Sequence, residues 1–453
     1  MSSIKNYRIV IARDATFNEL RAADIVARHV RLVVGVTLDI VIDDTSPAEC
    51  EIVVGRTSRE ALDGLTLPRD ESREFDFIIK LVGKRLYLVG LGADQQYKNE
   101  PFRSYVYIND GEYGTVLAAE HFVENVLGCE IVFTQYDGFK TLEDAEIDES
   151  AEYDYTRERF DAELPPHIDG TAMYSIPSSN LIAQDCTVFK TERGTLVVID
   201  GGRHGQADHI VRCLEALSDG KPVIEAWLLS HLHQDHYGVL HDILCDKNLR
   251  ERISVKNFYH HLLPLDYYIE KAPDKEAVFE SVLEVLYTMP DVWGTELHSV
   301  EAGEHITVDE LDFKVVRIPV LREEEKVMGL NDSSVIYKLF VHGQSILFTG
   351  DAEQRCDSDL FKYHSEDLKS DVMKIPHHGN GNLSKKCYAA IDPKLFWFQT
   401  CERDWYSDGG EGQSTRNIGM IRTHYNIKAL GTPSSHIVRD SKGLLAFKLP
   451  MEI

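Results

Sequence analysis

SHLHQDHYG, residues 230–238, is the stretch that decides the fold of this chain. It follows the largely apolar run Ile224–Leu229, and an apolar run that ends in turn-forming polar residues predicts a buried strand delivering a loop to one sheet edge. His231 and His233 are two residues apart, so their side chains can point the same way while the chain stays extended. Asp235 and His236 follow where the chain must turn. The stretch therefore predicts one cluster able to hold two cations through imidazole and carboxylate ligands. The candidate ligands are His231, His233, Asp235 and His236.

The composition is that of an ordinary globular chain. Its 453 residues predict about two or three domains, and its 43% hydrophobic and 27% charged residues are typical of soluble proteins. The start, MSSIKNYRIVIARD, lacks the apolar region of a signal peptide, and no uncharged apolar run approaches the about 18 residues of a membrane span. The eight cysteines are scattered without a CxxC pair, so we expect reduced thiols, a cytoplasmic location and no membrane partner.

The formal net charge of −27 bears on the partners of the protein. Extended binding of nucleic acid needs clustered lysine and arginine side chains, so we expect none. A single phosphate held at a metal centre stays compatible with this charge, because bound cations dominate their local field. The expected partner is a small-molecule or phosphodiester substrate, and the sequence predicts nothing about the oligomeric state.

Residues 1–142 predict a small α/β domain. The pattern Thr16-x-x-Glu19 is a capping box, and the apolar residues that follow at helical spacing predict a helix that ends at Gly35. A second helix is predicted over Gly114–Leu127. The predicted strands are Tyr7–Ala12, Leu38–Ile42, Glu51–Gly55, Phe75–Leu81 and Arg85–Val89.

Two pieces of this domain resemble the amino-terminal domain of α-glucuronidases and some β-hexosaminidases. They are VGRT at 54–57 and the GT at 114–115 that leads into Phe122-x-x-x-x-Leu127-Gly128. The resemblance implies a module that lies beside a catalytic domain and carries no catalytic carboxylate. No sugar-cleaving barrel follows, so a packing or presentation role is favoured over sugar binding.

The segment Asp144–Pro166 is acidic and ends in two prolines, which predicts a solvated linker. We therefore expect a linker at 143–166 and a second domain at 167–453. In that domain, further strand ends offer ligand types. Asp351 follows SILFTG, and His377 and His378 follow DVMKIP. A carboxylate at the tip of a buried strand can bridge two cations, and its burial without one would be costly.

These motifs together resemble the metallo-β-lactamase-fold hydrolases. HLHQDH is similar to the metal-binding signature of that family. Asp200-Gly201-Gly202 is similar to the family's first motif, in which the aspartate orients the metal loop. Taken alone, Asp200 is equally explained as part of a strand-ending turn. NDSSVIYKLF…ILFTGDAE…DVMKIPHHGN resembles a subgroup, the hydrolase domain of bacterial DNA-uptake channel proteins and the phosphorylcholine esterases. The fold class implied is α/β, with a carboxyl-terminal αββα metallo-β-lactamase fold preceded by a smaller α/β domain. The tail at 429–449 is similar to that subgroup's closing hairpin.

The resemblance implies two divalent metal ions, with Zn²⁺ favoured over Mn²⁺ or Fe. The implied metal ligands are His231, His233, Asp235, His236, Asp351 and one of His377 and His378, of which we favour His378. The remaining histidine, His377, would contact substrate or protonate the leaving group, and Asp235 would also steer the nucleophile. Where many family members carry a further histidine, this chain has Asn331 and Asp332. The metal site would then have an open coordination position. Asn331 and Asp332 are therefore candidates for a weak contact with metal or substrate.

The expected function is that of a metal-dependent hydrolase. The favoured substrate is a phosphodiester of nucleotide, nucleic-acid or phospho-sugar type, attacked by a metal-activated hydroxide. The alternative is a non-catalytic, metal-stabilised carbohydrate-binding or scaffold protein. A complete ligand set with an open position favours catalysis. The pair His260-His261 has no acidic ligand nearby and predicts a structural or peripheral role.

Overall fold

The computed structural model describes residues 2–70, 73, 75–92, 113–128, 141–156, 163–178, 183–320, 329–381, 383–401, 405, 418–441 and 443–453. The chain divides into two compact units, Met1–Asp161 and Ala162–Ile453. None of the helices in these described ranges is long and apolar enough to cross a lipid bilayer.

The amino-terminal unit is built on a six-stranded sheet in the order β3-β2-β4-β6-β5-β8, with β1 and β7 forming a separate two-stranded sheet. Its strands are β1 Ser2–Ser3, β2 Arg8–Ile11, β3 Ile40–Ile42, β4 Glu51–Val54, β5 Phe77–Val82, β6 Arg85–Gly90, β7 Glu146–Ile147 and β8 Tyr153–Tyr155. Its helices are α1 Phe17–Val34, α2 Arg59–Leu62 and α3 Gly114–His121, and α3 continues into a π-helical turn at Phe122–Val126.

Helix α1 begins and ends where the sequence predicts. The Thr16 side chain accepts a hydrogen bond from the Glu19 backbone N–H at 3.2 Å, and the Glu19 carboxylate accepts one from the Thr16 N–H at 2.8 Å. This capping box satisfies two N–H groups that the first helical turn leaves unpaired. At the other end, Gly35 takes the left-handed conformation with φ of 74°.

The expected linker at 143–166 is wrong over part of its length. Residues 146–155 contain β7, which pairs with β1, and β8, which pairs with β5. The rings of Phe77 and Tyr155 stack across that pairing with centroids 5.2 Å apart. Acidic residues such as Asp154 are exposed, so the charge that predicted a solvated linker lies on the outer face of an edge strand. The resemblance of this unit to the α-glucuronidase domain stays a prediction.

The carboxyl-terminal unit contains two seven-stranded sheets, ordered β14-β13-β12-β11-β10-β9-β22 and β15-β16-β17-β18-β19-β20-β21. Its strands are β9 Ala172–Ser175, β10 Cys186–Lys190, β11 Leu196–Asp200, β12 Val223–Leu228, β13 Ser254–His260, β14 Glu296–Ser299, β15 His305–Val308, β16 Leu311–Arg317, β17 Ile336–Val341, β18 Gln344–Phe348, β19 Val372–Lys374, β20 Leu395–Phe398, β21 Ile437–Arg439 and β22 Leu445–Lys448. Its helices are α4 Ala207–Leu217, α5 Gln234–Cys245, α6 Lys247–Arg250, α7 Leu265–Lys271, α8 Glu276–Leu286, α9 Met289–Trp293, α10 Asp357–Tyr363, α11 Lys385–Ile391 and α12 Ile418–Lys428.

The two sheets pack face to face with helices outside, which confirms the predicted αββα architecture. Strand β11 shows how the sequence builds these layers, because its side chains alternate between two cores. Val197 and Ile199 lie in the core between the sheets, whereas Leu196 and Val198 lie in the core that the first sheet forms with its helices. On the outer side of the second sheet, Tyr388 of α11 stacks on Phe396 of β20.

The expected closing hairpin at 429–449 does not form. Strand β21 extends the second sheet by pairing in parallel with β20, whereas β22 pairs antiparallel with β9 in the first sheet. Two strands joined by a short connection therefore lie in different sheets. The apolar residues of β22 explain the difference, because Leu445 and Phe447 pack against the core between the sheets while Ala446 packs against the outer core.

Gly201 tests how closely the strand end at Asp200 is packed. Gly201 has φ of +117°, and a Cβ there would lie 2.3 Å from the Trp227 ring. We expect Gly201→Ala to destabilise the carboxyl-terminal unit by about 1–3 kcal/mol more than Gly220→Ala, since overpacking adds to backbone strain. Gly220 is the matched control, because its φ is +106° with open space around it.

The measurement is urea unfolding followed by tryptophan fluorescence. All four tryptophans, Trp227, Trp293, Trp397 and Trp405, lie in the carboxyl-terminal unit, so the signal reports on that unit alone. Equal losses in the two variants would contradict the close packing of Gly201 on Trp227.

Candidate metal centre

The candidate site lies where strand ends of both sheets meet. Strand β12 leads into the loop that carries His231, and α5 begins immediately after His233. Asp351 follows β18 of the second sheet, and His378 follows the neighbouring strand β19. The two sheets are joined at this edge, since the Val335 N–H donates to the Ser230 carbonyl oxygen at 2.9 Å.

Two groups of buried ligand atoms converge at this edge. In the first, Asp351 lies between two histidines, with Oδ1 3.2 Å from His236 Nε2 and Oδ2 3.7 Å from His231 Nε2. In the second, Asp235 Oδ2 lies 3.4 Å from His378 Nε2, and His236 is close to both. His233 lies at the rim, with its ring 4.7 Å from that of His231. The structure thus brings together every residue of the predicted HLHQDH ligand set with Asp351 and His378.

The chemistry of these atoms fits a metal centre. Among the described residues, His231 Nε2, His236 Nε2, His378 Nε2 and Asp351 Oδ1 are buried and form no hydrogen bond of good geometry, although other ligand atoms of the cluster lie 3.2–3.7 Å from them. Leaving one such atom unsatisfied costs about 1–3 kcal/mol, so four in one place need an explanation. Divalent cations would satisfy all four, because imidazole nitrogen and carboxylate oxygen are common zinc ligands.

Asp200 lies directly beneath the metal loop. Its carboxylate accepts hydrogen bonds from the Ser230 N–H at 2.7 Å, from the Ser230 hydroxyl at 3.0 Å and from His236 Nδ1 at 3.0 Å. A bond at Nδ1 fixes the ring so that Nε2 faces the cluster. Asp200 also has a positive φ of 61°, a strained conformation for a residue with a side chain.

The adjacent histidines of the His377-His378 pair face different surroundings. His378 is buried, and its Nδ1 donates to the Gln399 carbonyl oxygen at 2.9 Å, which leaves Nε2 to the cluster. The His377 side chain is 28% exposed, and its Nδ1 lies 3.1 Å from Glu353 Oε1. Its Nε2 is 3.9 Å from Asp351 Oδ2. The geometry therefore places His378 among the ligand candidates and His377 at the mouth of the site.

Asn331 and Asp332 differ in what they offer the site. The Asn331 side-chain amide donates to Glu353 Oε1 at 2.9 Å, and its buried Oδ1 has no partner among the described residues, so it stays a candidate contact. The Asp332 carboxylate instead accepts hydrogen bonds from the Gly329 N–H at 3.1 Å and the Glu353 N–H at 3.3 Å. Asp332 thus anchors its own loop, and the expectation that it contacts a metal or substrate is not supported by its position.

Asp185 and Lys374 are the residues that sequence reasoning missed. Both are buried, and the Lys374 ammonium donates to the Asp185 carboxylate and, at 3.2 Å, to the Gly350 carbonyl oxygen. Asp185 Oδ1 also lies 3.3 Å from His378 Nδ1, and Oδ2 lies 3.6 Å from His236 Nδ1. The available signal was a lysine inside the apolar strand DVMKIP, since a buried lysine requires an acidic partner.

The histidine pair at 260–261 lies apart from this cluster. His260 is buried at the end of β13, and His261 Nδ1 lies 2.8 Å from the Val300 carbonyl oxygen. These contacts agree with the structural role that the sequence predicts.

Burial and charge set the protonation of the histidines in the metal-free protein. Burial lowers the pKa of His231 well below its usual value and lowers that of His233 to about 4. Burial would also lower the pKa of His236, but the carboxylates around it, Asp351 first, outweigh burial and raise this pKa well above its usual value. The same balance, led by Asp185, raises the pKa of His378 to about 10. The cluster therefore contains two neutral and two protonated imidazoles when no metal is bound.

The comparisons with known proteins agree with this description. Residues 180–388 match the model of the Metallo-beta-lactamase superfamily. With the two packed sheets, this match shows a metallo-β-lactamase fold in the carboxyl-terminal unit. The finer subgroup suggested by the sequence motifs stays a prediction.

Several solved structures are similar to this chain. YhfI of Bacillus subtilis, a metallo-beta-lactamase fold protein, is 11% identical with a TM-score of 0.37 and matches 61% of this chain and 99% of its own. CmlA of Streptomyces venezuelae, a diiron beta-hydroxylase, is 13% identical with a TM-score of 0.39 and matches 63% of this chain and 55% of its own. Yeast PDE1 is 12% identical with a TM-score of 0.36 and matches 61% of this chain and 99% of its own. No protein of curated function matches the chain.

The buried pair of Lys374 and Asp185 can be tested by charge removal. We expect Lys374→Met to destabilise the metal-free carboxyl-terminal unit by about 3–5 kcal/mol, because it leaves a buried carboxylate without its cation. The double variant Lys374→Met/Asp185→Asn should recover part of that loss in urea unfolding.

The control is Lys394→Met, which removes an exposed partner of Asp371, 3.0 Å away. Exposed ion pairs contribute about 0–1 kcal/mol, so this variant should unfold near the wild-type midpoint. A loss for Lys374→Met as small as that of Lys394→Met would contradict the structural role of the buried pair.

Proposed function

We propose that the carboxyl-terminal unit is a metal-dependent hydrolase that cleaves phosphodiesters. The observation that carries this proposal is the convergence of four buried ligand atoms, from His231, His236, His378 and Asp351, that form no hydrogen bond of good geometry in one cluster. Burying so many ionisable groups without cations would be costly. A ligand set that leaves a coordination position open is typical of catalytic rather than structural metal sites. The superfamily match supports hydrolase chemistry.

The donor set suits two divalent ions that share Asp351. His231 and His233 would hold one ion with Asp351, and the other would be held by Asp235, His236 and His378 with the same carboxylate. When bound, such ions supply Lewis-acid polarisation of a phosphoryl oxygen and a lowered pKa for bound water. Zn²⁺ suits mixed imidazole and carboxylate ligands, and Mn²⁺ or Fe accepts the same set.

Asp235 is suited to orient the attacking water. Its side chain is partly exposed, unlike the buried Asp351. Burial alone would raise the pKa of its carboxyl group, but the neighbouring His378 and His236 outweigh burial and hold it far below its usual range. An ionised carboxylate at the open side of the cluster can accept a hydrogen bond from water and fix its direction of attack.

His377 is suited to protonate the leaving oxygen. Burial would lower its pKa, but the carboxylates of Asp351 and Glu353 outweigh burial and raise this pKa, which favours the protonated ring that a general acid needs. Glu353 Oε1 also fixes the ring through Nδ1, and the Asn331 side-chain amide donates to the same Glu353 oxygen. The opposite ring nitrogen can then donate a proton to an alkoxide as it departs.

A phosphodiester is the favoured substrate for two reasons. The motifs around Asn331, Asp351 and His378 resemble a subgroup that hydrolyses phosphodiesters. A cation centre also provides local positive charge for an anionic substrate in a chain whose net charge is −27. That net charge favours a small diester over extended binding to a nucleic acid.

The proton-donor role of His377 predicts a dependence on the leaving group. We expect His377→Gln to lower kcat by about 10²–10⁴-fold on a dialkyl or nucleoside phosphodiester, the range of general acid catalysis. On bis-p-nitrophenyl phosphate the loss should be much smaller, because p-nitrophenolate departs without protonation. Both rates are measured on metal-loaded protein, with metal content determined for each variant.

The matched control is His305→Gln, which changes an exposed histidine on β15. It should leave both rates unchanged. Equal losses on the two substrates, with full metal content, would contradict proton donation by His377. No hydrolysis of any phosphodiester by metal-loaded wild-type protein would contradict the proposed function.

The protonation of the histidines predicts that binding of the two ions releases unequal numbers of protons from the protein. Ligation needs an unprotonated nitrogen, and the raised pKa values of His236 and His378 keep both rings protonated at pH 7. Filling their site should release about two protons and should tighten as pH rises towards the His378 value. Filling the site of His231 and His233 should release none from these rings, because their lowered pKa values leave them neutral.

Calorimetric titration of metal-free protein at pH 7, in two buffers of different ionisation enthalpy, measures this release. Binding without proton release for both ions would show that His236 and His378 are not protonated ligands.

A further inference from the structure

A second group of metal-capable side chains lies at the opposite end of helix α5 from the candidate metal centre. Asp235 and His236 lie in the first turn of helix α5, which ends at Cys245. Near its end, His241, Asp242 and Cys245 lie together, and His204 approaches from the loop that follows β11. The group therefore combines side chains from two segments of the chain.

The separations in this group are those of ligands around one ion. Ligand atoms of His204, His241 and Asp242 lie within 4.8 Å of one another. His241 Nδ1 is 3.6 Å from Asp242 Oδ1, and the Cys245 sulfur is 3.8 Å from His241 Nδ1. Tetrahedral zinc with its usual bond lengths places two nitrogens about 3.3 Å apart and a nitrogen and sulfur about 3.6 Å apart. Small side-chain movements would close the difference.

Hydrogen bonds within the group explain only part of this arrangement of side chains. His204 Nδ1 lies 2.7 Å from Asp242 Oδ1, and the Gly205 N–H donates to Asp242 Oδ2 at 2.7 Å. These two bonds explain why Asp242 is turned towards the loop. They do not involve His241 and Cys245, which are four residues apart on one helix face, with the Cys245 sulfur against the His241 ring and that ring beside the Asp242 carboxylate.

The surroundings give an ion access and favour positive charge. Asp242 and Cys245 line an open depression of about 580 Å³, whose wall also includes Asp208 and Asp246. Cys245 is exposed, so its thiol can lose a proton to solvent when a metal binds. One aspartate, one thiolate and two neutral imidazoles would leave a divalent ion with no net charge.

We propose that His204, His241, Asp242 and Cys245 form a further binding site for a single zinc-like divalent ion, separate from the candidate metal centre. The ion ties the end of α5 to the loop after β11. That loop begins just after Asp200, and the first turn of α5 carries Asp235 and His236, so the ion stabilises the two segments that position the metal centre. The segments already approach closely, since a Cβ at Gly238 would lie 2.2 Å from the His204 backbone nitrogen.

Cobalt substitution tests this site in the intact chain. Each ligand candidate of the metal centre described above is a histidine or an aspartate, so a thiolate-to-cobalt charge-transfer band cannot arise there, and its loss in Cys245→Ser assigns the band to Cys245. Metal-free protein is loaded with Co²⁺, exchanged into metal-free buffer and measured by absorption and metal analysis. We expect the band to titrate to about one thiolate-bound ion per chain and to be absent in Cys245→Ser, which should hold one ion fewer.

The control variant is Cys50→Ser, which alters a cysteine of the amino-terminal unit and should keep the band. His241→Ala should lose the same ion as Cys245→Ser, and each change lies at the surface end of α5, so the fold should remain. Cobalt bound without a thiolate band in the wild-type protein, or a band that persists in Cys245→Ser, would overturn the proposal.

Discussion

The structure of the carboxyl-terminal unit depends on balancing buried charge. Asp185, Asp200 and Asp351 are all buried within one cluster of strand ends. Carboxylates in such surroundings destabilise a protein unless cations or hydrogen bonds compensate them. Lys374 supplies one fixed positive charge, and the backbone and hydroxyl groups of Ser230 satisfy Asp200. Protonated histidines compensate the charge of Asp351 in the metal-free protein, and bound cations compensate it when metals are present.

Two sheets are needed to build this cluster, because no single strand carries enough ligands. The first sheet contributes the ends of β11 and β12, and the second contributes the ends of β18 and β19. The apolar core between the sheets brings these ends to one edge and holds them there. A buried hydrogen bond from the Tyr337 hydroxyl to the Leu229 carbonyl oxygen, at 3.2 Å, joins the sheets beside the metal loop. The ligands therefore sit on rigid elements, which a catalytic geometry requires.

The sequence predicted the ligand residues of the metal centre better than it predicted the residues that contact them. The HLHQDH loop and the strand-ending Asp351 were recognisable because ligand types followed apolar runs at short spacing. The pairing of Lys374 with Asp185 was not, since these residues are 189 positions apart and only the fold brings them together. The sequence favoured His378 over His377 without deciding between them, and the opposite surroundings of their rings supplied the difference. The sequence treated Asp332 and Asn331 alike, because the hydrogen bonds of the Asp332 carboxylate to backbone N–H groups leave no trace in the sequence.

Chain paths between elements were also predicted poorly. The acidic segment that suggested a linker contains β7 and β8, and in β8 Tyr155 stacks on Phe77 while Asp154 faces solvent. The tail that suggested a hairpin divides between two sheets, since each sheet has an edge that accepts one of its strands. Local composition describes which side of a segment is solvated, whereas strand partners depend on distant residues.

Anomalous diffraction at the zinc edge, from crystals of zinc-loaded protein, tests the central claim most directly. At the metal centre, the account predicts two anomalous peaks about 3.5–4 Å apart, the usual separation of paired catalytic ions. One peak should lie within ligand distance of His236 Nε2, His378 Nε2 and Asp235, the other near His231 and His233, and Asp351 should lie between them. Zinc-loaded crystals without a peak between Asp351 and these histidines would contradict the account.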